Sequence, residues 1–181
     1  MIKRTVFGMC LVAMMAMGGS AMAGEPEGNK FRLGAGLDVG VPSGGSLGLV
    51  MSPWIPQLKL GVYGSYNGLA PGMKGSATID PFNFPVSLTL TGEVGGFWAG
   101  QVPGVNGSPS VSYTYENLLL GLEFGKRTGF RFYFRGGLTH LDANVSGFQN
   151  TFTPPANVSV GNPHLSATAA PAVGIGFQWL F

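Results

Sequence analysis

Three polar residues near the C-terminal end have the types and spacing of a nucleophile and its base. His164 and Ser166 stand two apart in His164-Leu165-Ser166, and Asp142 precedes them in a facing segment. A histidine can take the proton of a serine hydroxyl, and a carboxylate can orient that histidine; this division of labour supports acyl transfer. His140 is the only other histidine. The plainer reading is a group of polar residues at a wet rim. His140, Asp142 and His164 follow no metal-ligand spacing, so no metal is expected. The chain has no phosphate-cradling glycine loop and no Gly-x-Ser-x-Gly turn, and no cofactor is implied.

What positions those residues is legible in the last seventeen, Leu165 to Phe181. Phe181, Trp179, Phe177, Ile175, Val173, Pro171, Ala169, Ala167 and Leu165 form one alternating row. Leu180, Gln178, Gly176, Gly174, Ala172, Ala170, Thr168 and Ser166 form the other. A period of two puts the rows on opposite faces of a strand, the first apolar and the second small or polar apart from Leu180. A strand of this length can cross a bilayer, which needs about 9–11 tilted residues. Pro171 removes one ladder hydrogen bond, so a bulge or irregularity is expected there.

This stretch resembles the C-terminal signature strand of bacterial outer-membrane β-barrels, in which apolar residues alternate up to a terminal aromatic. Val173, Ile175, Phe177, Trp179 and Phe181 carry the resemblance. It implies assembly by the barrel-insertion machinery, with Phe177, Trp179 and Phe181 as the assembly signal. His164-Leu165-Ser166 is similar to the His-x-Ser pair of outer-membrane lipid A deacylases. That family's acid follows the pair in the chain. Here no acidic residue follows His164, and Asp142 is the nearby candidate.

The N-terminus reads as a secretory leader over residues 1–23. Lys3 and Arg4 precede an apolar core at Val6–Met17, and Ala21-Met22-Ala23 is a small-x-small cleavage site. Residues 24–181 are then the exported chain, free of cysteine because Cys10 lies in the leader. Removing Lys3 and Arg4 from ten Lys and Arg leaves eight, against eight Asp and Glu. That balance leaves no basic footprint for nucleic acid. Charged residues are 10% of the chain, far below the roughly 25% usual in soluble domains. A wall that is half lipid-facing explains the deficit.

Phasing each segment by its apolar row gives eight strands: Phe31–Val41, Leu47–Trp54, Leu58–Asn67, Met73–Asp80, Val86–Trp98, Val111–Gly125, Phe130–Leu141 and the signature strand. The connections at Trp54–Gln57, Pro81–Pro85 and Lys126–Gly129 are short; Ala99–Ser110 and Asp142–Pro163 are long. The expected fold is all-β, an eight-stranded antiparallel up-and-down transmembrane β-barrel. The architecture resembles small barrels of the OmpA and OmpX type, and a soluble β-sandwich is the alternative.

Strand charges share the inward parity, with Glu116 as the one outward exception. Isolated buried charges are costly, so pairing is required. A lumen network of Glu93, Glu123, Arg131, Arg135, Lys59 and Lys74 is expected, with the hairpin setting Glu123 opposite Arg131 or Tyr133. Eight strands leave an interior that side chains can fill. The expected function is a non-enzymatic, monomeric barrel of the bacterial outer membrane, in contact with lipid and lipopolysaccharide and acting structurally or by loops that meet an extracellular ligand. Alternatives are a deacylase-like enzyme at the extracellular rim and a narrow channel or lipid-binding barrel.

Overall fold

The computed structural model describes residues 30–181 except 56, 83–84, 104–108, 126–128 and 148–160. The leader over residues 1–23 lies outside the described residues. Alternation of residue type is realised as eight strands: β1 (Arg32–Val41), β2 (Gly44–Ser52), β3 (Leu58–Tyr66), β4 (Pro71–Ile79), β5 (Val86–Gln101), β6 (Ser110–Gly125), β7 (Gly129–Ser146) and β8 (His164–Leu180). Each is antiparallel to the next, and β8 pairs with β1 to close a barrel. Closure removes the sheet edges and replaces the two-sheet sandwich alternative.

The strands are tilted. A row of paired residues leaving β1 at Val41 runs through Val173, Gly136, Leu120, Leu90 and Ile79 to Leu58. It starts at the last residue of β1 and arrives at the first of β3, the stagger that barrel closure demands. Strands β5 to β8 have 16–18 residues and β1 to β4 have 9 or 10. The longer strands project at the end opposite the chain termini, called the loop end below.

Polarity is inverted relative to a water-soluble core. Leu49, Leu120, Phe130, Val173 and Trp179 are among the large apolar residues exposed outside, whereas Asp38, Lys59, Lys74, Glu93, Glu123, Arg131 and Arg135 are buried inside. The buried apolar groups are two small clusters. Leu180, the odd residue of the polar row, packs inside with Val50 and Tyr63. Phe97, Tyr115 and Ala70 form the second, with Tyr113 against them.

Inward glycines make room for tyrosines. A Cβ on Gly61 would lie 2.4 Å from the Tyr63 ring, and one on Gly95 2.5 Å from the Tyr115 hydroxyl. A Cβ on Gly176 would lie 2.7 Å from the Tyr133 hydroxyl. Glycine is needed at these positions because a ring fills the space a side chain would take.

The strand limits differ from the sequence reading where glycine and small residues blur the pattern. β2 begins at Gly44, so the turn expected over Pro42–Gly45 contracts to Pro42-Ser43. β4 runs from Pro71 to Ile79 and excludes Asp80. β7 continues through Asp142 to Ser146, which corrects the expected loop start at Asp142. The irregularity in β8 falls beside Thr168 and Ala169, where Thr139 pairs Ala170 but Leu141 pairs Ala167. Ala169 has a positive φ of 61°, and Pro171 keeps a regular partner in Leu138.

That bulge exchanges the faces of β8 toward the loop end. Register partners share a face. Leu165 pairs Ala143 and Ala167 pairs Leu141, whereas Ser166 pairs Asp142 and His164 pairs Asn144. Tyr113 and Tyr115, on the inner side, pair Ala143 and Leu141. His164, Ser166 and Asp142 therefore belong to the outer face. Two sequence expectations are corrected: Leu165 and Ala167 leave the outward row, and Glu116 shares its outward parity with Asp142.

Gly95→Leu is expected to lower stability by about 1–3 kcal/mol through overpacking against Tyr115, read as a fall in the urea midpoint. Gly136→Leu, whose Cβ meets nothing within 4 Å, leaves the midpoint unchanged.

Candidate functional site

Inside the barrel the alternation of β6 and β7 puts Glu123 opposite Tyr133, with arginines two residues to either side. Glu123 is fully buried. Its Oε1 accepts from Arg135 Nη2 at 3.1 Å, and its Oε2 accepts from Arg131 Nη1 at 3.2 Å and Gln178 Nε2 at 3.1 Å. Lys59 also donates to Oε2. Arg131 reaches on to Asp80 at 2.8 Å.

A second centre lies toward the loop end. Lys74 Nζ meets the two Asp38 oxygens at 2.7 and 2.5 Å, and Tyr133 donates to Asp38 at 3.0 Å. Glu93 accepts from Asn117 Nδ2 at 3.0 Å and lies 3.9 Å from Lys74 and 3.7 Å from Arg135. Arg135 also stacks 3.8 Å from the Tyr133 ring centre. It joins the two centres, since it meets both Glu93 and Glu123. Asp38, Asp80, Glu93 and Glu123 thus balance Lys59, Lys74, Arg131 and Arg135, four charges against four.

The structure brings together all six lumen residues named from sequence, and adds Asp38, Asp80, Asn117, Tyr133 and Gln178. Inward parity was the signal for Asp38, but parity alone did not say which cation it meets. The space among Asp38, Lys74, Glu93 and Arg135 is about 10 Å3, at the threshold for a single water.

On the outer face at the loop end, the three residues whose chemistry was first in question come together. His164 Nε2 lies 2.6 Å from Asp142 Oδ1. Asp142 is the register partner of Ser166, and Ser166 is two residues from His164 on the same face. His140 stands beside them, its Nδ1 3.3 Å from Thr168 Oγ1. It pairs in register with Glu116. The sequence named these residues but not their geometry: the acid precedes the His-x-Ser pair and reaches it through strand pairing. Among the described residues no group of three or more His, Cys, Asp and Glu side chains is arranged to hold a metal ion.

At the end bearing the termini, Phe177, Trp179 and Phe181 face outward. Phe177 stacks with Phe130 at 5.5 Å, and Trp179 meets Phe181 at 6.3 Å. The Phe181 amide donates to the Leu33 carbonyl at 2.9 Å. Trp98 and Tyr66 are exposed at the opposite end.

The chain is an eight-stranded antiparallel closed β-barrel, which fits the small-barrel resemblance at the level of architecture. No protein-family model, curated protein or solved structure matches it.

Glu123→Ala leaves Lys59, Arg131 and Arg135 short of a counter-charge and is expected to cost about 3–5 kcal/mol. Glu116→Gln, at an exposed outer position, should shift stability by under about 0.5 kcal/mol. Urea unfolding followed by tryptophan fluorescence checks both.

Proposed function

We propose that this chain is a monomeric integral barrel of the bacterial outer membrane with a closed lumen, acting as a structural wall element and through its loop end. The observation that carries this reading is the inverted polarity: an apolar outer face around an interior of paired charges. Lysine or arginine facing lipid at the bilayer midplane costs about 2–4 kcal/mol, which sorts charge inward. The aromatic groups at Trp179 and Phe181 and at Trp98 and Tyr66 support two interfacial belts. In this reading the termini and short turns are periplasmic and the loop end is extracellular. Export by the leader over residues 1–23 and insertion guided by Phe177, Trp179 and Phe181 belong to the same proposal, as does contact with lipopolysaccharide.

The tightly filled lumen favours a wall element over a channel. Purified protein is expected to fold in detergent, to migrate differently on gels before and after heating, and to give flat planar-bilayer traces. Discrete conductance steps would overturn the closed lumen.

One contact favours a second reading, ester hydrolysis at the membrane surface: the 2.6 Å approach of His164 to Asp142 beside Ser166. Ser166 Oγ would attack the carbonyl carbon of a lipid acyl ester while His164 takes its proton. His164 then returns the proton to the departing alkoxide, and water releases the fatty acid from Ser166. Lipid A, the substrate of the family that the His-x-Ser pair resembles, is the substrate to test. Fatty-acid release from lipopolysaccharide should vanish in Ser166→Ala and fall roughly 100-fold or more in His164→Ala. A wild-type protein that releases nothing removes this reading and leaves the first intact.

A further inference from the structure

The outer wall carries a groove built from two adjacent rows of the strand ladder. One row runs His140, Glu116, Val94, Gly75 and Val62 across β7 to β3. The next runs Leu138, Leu118, Gly92, Ala77 and Leu60 across the same strands. Gly75, Ala77 and Gly92 are small and adjacent, so they make a floor, and the flanking leucines and valines make its walls. The resulting depression has a volume of about 570 Å3, and five strands at about 4.8 Å spacing give it a length of roughly 19 Å.

The groove is not apolar throughout. At its β6–β7 end it opens into a polar pocket of about 200 Å3 that includes Thr114, Glu116, His140 and Asp142. The pocket and the groove share Val94, Glu116 and His140. Neither is lined by lysine or arginine. Among the described residues Glu116 has no ion-pair partner, whereas Asp142 has His164. A carboxylate on a lipid-facing wall is costly unless a cation meets it. His140 is the register partner of Glu116 and lines both spaces, but among the described residues neither space brings a lysine or arginine to Glu116, which leaves room for a cationic head group there.

We infer that this groove binds one membrane amphiphile, with an extended acyl chain along the Gly75–Ala77–Gly92 floor and an ammonium head group at Glu116. The shape takes one extended chain of a lipid leading to a polar head, and the Glu116 carboxylate disfavours an anionic head. The inference rests on the membrane reading and is independent of hydrolysis at Ser166. It makes the groove a saturable lipid site, distinct from the general coat of lipid around a barrel.

The test uses the full barrel folded in a nonionic detergent and native mass spectrometry. Phosphatidylethanolamine and phosphatidylglycerol with identical acyl chains are titrated separately. One phosphatidylethanolamine per barrel should be retained at roughly tenfold lower concentration than phosphatidylglycerol, as charge complementarity requires. Glu116→Gln should erase that preference, and Ala77→Phe, which fills the floor, should lose the retained lipid altogether. Heat-modifiable gel migration shows that each variant is folded. Equal retention of the two lipids, or an unchanged preference in folded Glu116→Gln, overturns the head-group assignment; undiminished retention in folded Ala77→Phe overturns the groove. A protein that folds in water without detergent would instead remove the membrane reading.

Discussion

The structure depends on keeping the charges of a narrow interior paired, eight of them in one network. Glu123 is the pivot, because three cations and Gln178 converge on its two oxygens. Burying ions costs several kcal/mol each, and close pairing with further hydrogen bonds is what recovers that cost. Each strand must therefore hold its register to within one residue, since a slip would turn every charge outward. The charge network and the closed ring of strands enforce one another.

The tyrosines extend the same constraint. Tyr133 donates to Asp38 and stacks with Arg135, while Gly176 leaves room for its hydroxyl. Tyr63 lies beneath Lys74, whose ammonium is 4.7 Å from the ring centre. Aromatic bulk thus excludes water from the charges it touches, which strengthens their mutual attraction. Outside, aromatic contacts such as Phe130 on Phe177 and Trp179 against Phe181 order the rim near the termini. Leu49, Leu120 and Val173 are exposed and meet whatever medium surrounds the barrel.

Much of this was legible in the sequence because period-two alternation is strong where large apolar residues mark one row. Phe130, Phe132 and Phe134 against Arg131, Tyr133 and Arg135 set the phase of β7 without ambiguity. The phase was lost in Ser166-Ala167-Thr168-Ala169-Ala170, where both rows are small and no hydrophobic signal records a bulge. That stretch is also where the candidate site sits. The sequence reading therefore named His164, Ser166 and Asp142 but assigned the His-x-Ser face from a parity that Thr168 and Ala169 reverse. Similarly, Asp142 looked like a loop residue because Asp142-Ala143-Asn144 has little strand character, yet pairing with Thr114 and Ser166 holds it in β7. The partners of Asp38 and Asp80 were invisible for another reason: contacts across a lumen depend on barrel stagger, which local pattern does not encode.

The central claim is that the apolar outer wall faces hydrocarbon while the charged interior is sealed. Nitroxide labels on single cysteines, in a chain lacking Cys10, test it directly in phospholipid vesicles. Positions Leu120, 61% exposed, and Thr91, fully buried, sample the two faces. The account predicts that the Leu120→Cys label relaxes with dissolved oxygen and is shielded from a water-soluble nickel chelate, and that the Thr91→Cys label is shielded from both. A Leu120→Cys label reached by the nickel chelate as readily as one at Asn162 would contradict it.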